Sequence, residues 1–347
     1  MQAKAVYFDS SVILAMLFNQ AAAESALEIW NNAEYRLSSQ LTEFECLTVV
    51  HRVHGTLPEK IRKEVQSEHQ RWLSRSLAAL ELQALGDAIG FPVEGQTRDV
   101  CSDYVRELIE EGPGLEARPG FVSGQYSDDT QLARELILSF NSRKRFDPVD
   151  YAARIADIFS RGRVVGGGLS TLEAATRLAR GVPWDQAGTP SPSAGNGSAM
   201  RAGPIGLMYF DDMKSLVNAA HDQSIITHKD LRCSAGSVAV AGAVALALEQ
   251  KEIDHVNFLT EIAKLCALVD PAAQAVFTSL IDWVALEPEE ALKSIVLAGY
   301  AMGSIESWQG LTPFVTGSVL WSLYSFLHSP RSYLDTLATA IGVGGDV

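Results

Sequence analysis

The sequence predicts a mainly α-helical fold, an all-α helical bundle preceded by a partial α/β segment. Its 347 residues, of which 47% are hydrophobic and 20% charged, are enough for a full core and two units. After Gly90, apolar residues recur at helical spacing in segments separated by glycine and proline. The first 80 or so residues instead alternate strand-like and helix-like runs. We therefore divide the chain into residues 1–83 and 84–347.

The α/β segment opens with the strand-like run AVYFD and reaches a second strand, YRLSS, at residues 35–39. Helices are predicted around these strands at residues 10–18, 21–30 and 42–55. This β-α-β-α order favours a parallel sheet. Residues 58–80 carry charges at helical spacing and are predicted to form one more helix.

The second unit has nine stretches of helical apolar periodicity. They are residues 131–140, 151–159, 171–180, 215–221, 234–250, 258–268, 272–285, 290–301 and 314–327. Glycine, proline and serine concentrate between them, at residues 112–126, 161–170 and 181–206. Such loops on a helical scaffold are the expected positions of functional residues.

Charge and cysteine usage limit the classes of partner. The net charge of −14 argues against broad attraction to nucleic acid or to an anionic membrane. The four cysteines lie far apart without CxxC spacing, which favours a reducing cytoplasm over a disulfide framework or a zinc site. The apolar run at residues 237–248 is too short to span a bilayer and is predicted to be a buried helix.

Three oxygen-bearing side chains, Ser127, Asp128 and Asp129, precede a predicted helix in the motif YSDDTQ. Hydroxyl and carboxylate oxygens suit a hard cation such as Mg²⁺. Serine and aspartate are also ordinary helix caps, because they accept hydrogen bonds from unpaired backbone N–H groups. Both interpretations remain open from this motif alone.

A glycine-rich motif, GNGSAMRAGPIG, covers residues 195–206. Its small residues would let backbone N–H groups approach phosphate oxygens, and Asn196 can exchange hydrogen bonds with a sugar. Arg201 could bind phosphate or lock the loop to a carboxylate. Taken alone, the motif is also typical of a plain turn.

Three more polar residues lie beside glycine or apolar runs. Glu94 in GDAIGFPVEG could hold a water or gate a metal site, or could be a solvated loop residue. His228 in SIITHKD could contact a ligand, or could be structural. Asp346 follows two glycines that would let the backbone turn toward a metal, although terminal residues are often frayed.

From about residue 84 onward the chain resembles the ADP-ribosylglycohydrolase family, because four motifs occur in the family's order. The resemblance implies hydrolysis of ADP-ribose from a modified protein or small acceptor, using two Mg²⁺ ions. It implies that Glu94 and Asp129 are catalytic. The implied metal ligands are Ser127, Asp128, Asp129 and Asp346, and the implied ADP-ribose contacts are Asn196, Gly197, Met200, Arg201 and His228.

The end of the chain departs from that family. Where the family continues GGDxDT, this sequence stops at Val347, so the second aspartate and the threonine are absent. A two-metal site that lacks a carboxylate and a hydroxyl should hold at least one ion less tightly. We therefore expect weak or no hydrolysis, and a catalytically silent ADP-ribose binder is an alternative.

The first 80 residues resemble the opening half of a PIN-domain nuclease. In this resemblance Asp9 of VYFDSS and Glu43 of LTEFE would be metal ligands. The later acidic residues of that family have no match after residue 83. A metal-dependent endoribonuclease is thus the second alternative function.

Overall fold

The computed structural model of this chain describes residues 5–7, 35–37, 59–111, 121–122, 124–250, 252–298 and 310–346. The chain separates into two compact units, Met1–Gln83 and Ala84–Val347. The helices expected at residues 10–18, 21–30 and 42–55 lie outside the described residues. So do Asp9 and Glu43, whose assignment as metal ligands stays a prediction.

In the first unit, strand β1 (Ala5–Tyr7) pairs in parallel with strand β2 (Tyr35–Leu37), with Ala5 opposite Tyr35. The predicted parallel pairing is confirmed. Helix α1 (Glu59–Gly90) runs ten residues beyond the predicted end and contains the division between the units. It ends where Pro92 disfavours further helix, and Phe91–Val93 form a 3₁₀ turn.

The second unit is helical, which confirms the predicted fold class. Its longer helices are α2 (Arg98–Glu111), α3 (Asp128–Arg143), α4 (Pro148–Ser160), α5 (Leu169–Ala179), α8 (Met213–Ile225), α9 (Leu231–Glu249), α10 (His255–Ala267), α11 (Ala273–Trp283), α12 (Pro288–Ile295), α13 (Val315–His328) and α14 (Tyr333–Ile341). The predicted loop at residues 181–206 contains the short α6 (Trp184–Ala187) and the start of α7 (Gly203–Met208). Helix α2 was missing from the predicted helices because it is rich in charged residues.

Serine and aspartate side chains begin many of these helices by accepting hydrogen bonds from backbone N–H groups of the first turn. Helix α4 shows the pattern most fully, since Asp147 accepts from the amides of Val149 and Asp150, and Pro148 occupies the first turn. The other caps of this kind are Ser127 on α3, Asp212 on α8, Asp230 on α9, Asp254 on α10 and Ser332 on α14.

Helix α9 forms the centre of the second unit. It is the one described helix long and apolar enough to cross a membrane, over Leu231–Leu248, yet 67% of that window is buried inside the protein. It packs against α7, α8, α10 and α13. These contacts identify it as a core helix, in agreement with the sequence prediction.

A smaller apolar cluster joins the end of α1, the 3₁₀ turn, α2 and α14. It consists of Ile89, Val93, Cys101, Leu108 and Ile341. The chain segments that follow the 3₁₀ turn and α14 are thereby brought together. This packing places the segments that carry Glu94 and Asp346 side by side, since the Gly95 amide donates to Gly345 O.

Candidate active site: carboxylates beside a glycine loop

The start of α3 is held by a carboxylate from α1. Asp87 accepts hydrogen bonds from the backbone N–H groups of Ser127 (2.9 Å) and Thr130 (3.0 Å). The Ser127 hydroxyl accepts from the Asp129 amide at 3.3 Å. Ser127 therefore caps the helix, while the Asp128 side chain is buried with 5% of its surface exposed.

Five carboxylates converge here, and we call them the carboxylate cluster: Asp87, Glu94, Asp128, Asp129 and Asp346. Burial, reinforced by the negative charges of Glu94 and Asp87, raises the pKa of Asp128 to about 7. Burial and the other four carboxylates raise the pKa of Asp129 well above its usual range. Such mutual repulsion favours protonation or a bound cation.

Asp346 is fixed by the glycine-rich motif far away in the sequence. The Asn196 side chain donates hydrogen bonds from Nδ2 to Asp346 Oδ2 (2.7 Å) and to Ser318 Oγ (3.1 Å). Burial raises the pKa of Asp346, and the Asn196 hydrogen bond opposes this effect. The Asn196 amide nitrogen thus positions a carboxylate, and the predicted contact of Asn196 with the sugar stays a prediction.

The turn before Asp346 depends on glycine. The Gly345 amide donates to Gln96 O and its carbonyl accepts from Gly95 N, at 2.9 and 2.7 Å. Its φ of 87° lies in the left-handed region, and a Cβ there would lie 2.1 Å from the Leu311 carbonyl oxygen. Two neighbouring chain segments therefore clamp the turn and direct Asp346 into the cluster.

His228 lies against the glycine loop, residues 195–201. A Cβ on Gly197 would be 2.9 Å from His228 Cε1 and 3.1 Å from Thr171 Oγ1, so only glycine fits there without displacement. Burial, with a smaller contribution from the Arg201 charge, lowers the pKa of His228 to about 3. The imidazole is therefore neutral, and it packs directly beside the loop.

Arg201 is fully buried beneath that loop, and its contact with ADP-ribose stays a prediction. Its Nε donates to Gln223 Oε1 (2.9 Å), and its Nη2 donates to Gln223 O (3.0 Å) and Thr227 Oγ1 (2.8 Å). The guanidinium also lies 5.6 Å from the ring centre of Tyr151. With 0% of its surface exposed, Arg201 supports the loop from inside the protein.

Arg201 belongs to a buried polar network that joins the loop to α8 and α9. Gln223 Nε2 donates to Ser198 O (2.8 Å) and Ser237 Oγ (3.1 Å), and Ser224 Oγ donates to Ser198 Oγ (2.9 Å). One nitrogen, Arg201 Nη1, is buried without a hydrogen-bond partner among the described residues. Met200, another predicted ligand contact, is half-buried and packs against the hydrophobic core.

Sequence reasoning missed the residue that brings a second glycine loop to the site. Gln131 donates from Nε2 to Arg163 O and accepts the Val165 amide at Oε1, both at 2.9 Å. Gly166 then lies so near that a Cβ would be 3.5 Å from Asp128 Oδ1. The sequence gives little indication of this role, because Gln131 is an ordinary helical residue just after the acidic motif.

The donor atoms suit a hard cation, although they do not form a closed shell in this structure. Carboxylate and hydroxyl oxygens are the ligands that Mg²⁺ prefers. Within the described ranges, no group of three or more histidine, cysteine, aspartate or glutamate side chains is arranged to hold a metal ion. The fit to Mg²⁺ therefore rests on donor chemistry and on the repulsion within the carboxylate cluster.

A separate cleft of about 480 Å³ lies between α8 and the end of α10 and includes Lys214, His221 and Leu268. It contains none of the predicted site residues. The carboxylate cluster and the glycine loop, rather than this cleft, combine the groups suited to chemistry.

Two family models match the chain. The ADP-ribosylglycohydrolase model matches residues 68–347, and the PIN domain model matches residues 6–89. The first match begins inside α1, earlier than the predicted boundary at residue 84. A solved structure described as an ADP-ribosylglycohydrolase-related protein complex is 24% identical, covers 80% of this chain and 82% of its own, and has a TM-score of 0.57. That likeness shows the fold.

Relatives come from archaea, bacteria and animals. An uncharacterized protein of Archaeoglobus fulgidus is 27% identical over 76% of this chain and 79% of its own length. The ADP-ribosylhydrolase ARH3 of Homo sapiens is 30% identical, over 55% of this chain and 54% of its own. The ADP-ribosylarginine hydrolase Tri1 of Pseudomonas putida is 30% identical, over 45% and 42%. The chain thus spans about half the length of these two hydrolases.

Proposed function

The chain belongs to the ADP-ribosylglycohydrolase family, and from this premise we propose that it is a Mg²⁺-dependent hydrolase that removes ADP-ribose from a modified protein or a small acceptor. The observation that carries the proposal is the convergence of Glu94, Asp128, Asp129 and Asp346 beside the glycine loop. Neither a helix cap nor a turn alone requires four motifs to meet at one place.

Ser127, Asp128, Asp129 and Asp346 would hold Mg²⁺, since they offer one hydroxyl and three carboxylate groups as oxygen donors. When bound, the metal supplies a positive charge that polarises oxygen atoms and opposes the repulsion between carboxylates. Asn196 keeps the Asp346 carboxylate in place, and Asp87 keeps the start of α3 in place. The protein is thus built to present carboxylates whose charge a cation would stabilise.

The proposed reaction is a hydrolysis at the anomeric carbon of the ADP-ribosyl group. Glu94 or Asp129 accepts a proton from the attacking water, whose oxygen forms the new bond to carbon. The bond from that carbon to the acceptor breaks, and the acceptor leaves with a proton. Gly197 and His228 would line the space for the ADP-ribosyl group, because the His228 ring packs against Gly197 in the loop that holds Asp346 through Asn196.

A release assay tests this proposal. Proteins and peptides carrying arginine-linked or serine-linked ADP-ribose are incubated with the purified chain in Mg²⁺ or in excess chelator. We expect weak, Mg²⁺-dependent release that falls at least a hundredfold further in Asp129→Asn. Asp157→Asn is the matched control, because the Asp157 carboxylate is exposed and pairs with Arg161 at the end of its own helix. Release that persists in chelator would contradict the metal dependence.

The same assay addresses the acceptor and the silent-binder alternative. Tri1 is described as acting on ADP-ribosylarginine, which makes arginine-linked substrates the first to compare. ADP-ribose binding without release from any substrate would favour a catalytically silent binder.

A nuclease is the second candidate, favoured by the PIN domain match over residues 6–89 and by the parallel β1–β2 pair. RNA cleavage by the purified chain that disappears in Asp9→Asn would support it. Absence of cleavage in the unaltered chain would eliminate it.

A further inference from the structure

We propose that Arg201 is a positioning residue that acts on His228 through the Thr227 hydroxyl. It holds the His228 imidazole in the tautomer that carries its proton on Nε2. This N–H is directed at an oxygen of the ADP-ribosyl group. The ligand in this inference rests on the proposed function. The assignment of the tautomer rests on which atoms of Arg201, Thr227 and His228 donate and which accept hydrogen bonds.

The first step concerns Thr227. Its hydroxyl oxygen lies 2.8 Å from Arg201 Nη2 and 2.8 Å from His228 Nδ1. A guanidinium can only donate, so the Thr227 oxygen accepts from Arg201. A threonine hydroxyl has a single hydrogen to donate, and Thr227 is fully buried. Water therefore cannot accept that hydrogen in place of a protein atom.

The second step concerns His228. Within the described part of the chain, His228 Nδ1 is the acceptor in hydrogen-bond range of the Thr227 hydroxyl. If Nδ1 carried the proton instead, two donors would face each other or the Thr227 hydroxyl would be left unsatisfied in a buried place, which is unfavourable. The neutral imidazole therefore accepts at Nδ1 and carries its hydrogen on Nε2.

The third step concerns the direction of Nε2. A Cβ on Gly195 would lie 3.5 Å from Nε2, and a Cβ on Gly197 would lie 3.3 Å from it. The ring nitrogen thus faces the side of the glycine loop from which side chains are missing. An N–H donor at this position suits an oxygen of a phosphate or a ribose, whereas the opposite tautomer would present a lone pair and repel it.

Arg201 is suited to this role because it is itself fixed. Gln223 accepts from its Nε and Nη2 through the side chain and the backbone carbonyl, and Tyr151 lies beneath its plane. A buried cation that is held in this way has one orientation toward Thr227. These contacts offset the free-energy cost of burying the Arg201 guanidinium. In the proposed arrangement, the result is a hydrogen-bond donor at His228 Nε2 beside the glycine loop.

The tautomer can be tested in the full chain without any ligand. A long-range proton–nitrogen correlation spectrum of the nitrogen-labelled protein reports which imidazole nitrogen is protonated, and His228→Gln identifies the signals. We expect protonated Nε2 in the unaltered chain and in Thr227→Ser. We expect a second, Nδ1-protonated population in Thr227→Val and in Arg201→Met. Thr278→Val is the matched control, since the Thr278 hydroxyl donates to Gln274 O of its own helix.

A wild-type spectrum with Nδ1 protonated, or a Thr227→Val spectrum identical to the wild type, would overturn the inference. Because Arg201 is buried and its loss could unfold the chain, the Thr227 pair decides the matter if Arg201→Met does not fold.

The proposed hydrogen bond from His228 to ADP-ribose is tested by calorimetric titration of ADP-ribose into the chain in Mg²⁺. Thr227→Val should weaken binding about tenfold, the value of one hydrogen bond, while Thr227→Ser restores it. Equal affinities in Thr227→Val and the unaltered chain would refute the donor role. If the spectra show the expected tautomers and ADP-ribose does not bind at all, the control of the His228 tautomer by Arg201 and Thr227 is supported. The proposed function is then contradicted.

Discussion

Gly345 shows how one residue controls the position of a carboxylate. Its φ of 87° and the 2.1 Å approach of a Cβ to Leu311 O make two separate demands on this position. Gly345→Ala should therefore destabilise the chain by about 3 kcal/mol, of which the left-handed backbone accounts for about 1 kcal/mol. Urea unfolding measures the change.

Gly181 provides the control for that substitution, because its φ is 86° and a Cβ there would meet no atom of the described residues within 4 Å. Gly181→Ala should cost only the backbone part, about 1 kcal/mol. Equal losses in the two variants would mean that the contact with Leu311 places no constraint on the turn.

The raised pKa of Asp128 determines how we expect the stability of the chain to depend on pH when metal is absent. Its pKa in the folded chain is about 7, above the ordinary 3.8, so folding favours the protonated form. The contribution of the protonated Asp128 side chain to the free energy of unfolding is fully present below about pH 4. It is lost as the pH rises through about 7. The difference corresponds to about 4 kcal/mol.

Urea unfolding in chelator between pH 4 and pH 8 checks this dependence. The free energy of unfolding should fall across that range in the unaltered chain, and it should fall less in Asp128→Asn. Saturating Mg²⁺ should flatten the curve of the unaltered chain. A stability that rises with pH in chelator would contradict the assigned direction.

Asn196 and Arg201 mark the limit of what their motif predicts. The motif identified a functional loop, but both side chains turn inward, one to Asp346 and the other to Gln223 and Thr227. Their partners are distant in sequence, and a hydrogen-bonding side chain gives no sign of whether a ligand or the protein will satisfy it. Residue types were therefore more predictable than contacts.

At the scale of the element, the first turn of α3 depends on Asp87. This carboxylate accepts from two amides that have no partner within the helix. Asp87→Ala should cost about 2 kcal/mol of stability and should weaken Mg²⁺ and ADP-ribose binding, because Asp128 and Asp129 lie in the turn that it holds.

Asp147 offers a matched comparison, since it caps α4 by accepting from the amides of Val149 and Asp150. Asp147→Ala should lower stability by about 1 to 2 kcal/mol and leave ADP-ribose binding unchanged. Thermal unfolding and calorimetric titration of both variants measure the two effects. Equal loss of binding in the two variants would show that stability alone, and not the position of α3, governs the site.

Elements were predicted best where apolar periodicity and a cap agree. Helix α4 carries both signals, and its predicted range of 151–159 lies within the observed Pro148–Ser160. Helix α12 ends at Ile295, whereas periodicity extended it to residue 301. The end of α1 was misplaced because nothing in its charge pattern stops a helix before Pro92.

For the whole molecule, four motifs separated along the chain meet at one site in the helical unit. The buried core around α9 and the smaller cluster between α2 and α14 bring them together. No single motif distinguishes a cap, a turn or a loop residue from a ligand. Their order along the chain predicted the family, and packing explains why that order matters.

The measurement that tests the account most directly is a calorimetric titration of ADP-ribose into the full chain, in Mg²⁺ and then in excess chelator. It reports on the assembled site independently of turnover. We predict binding in Mg²⁺ that is lost in chelator and in Asp129→Asn but is kept in Asp157→Asn. Equal binding in both conditions would contradict the role of metal, and no binding in either would contradict the proposed site itself.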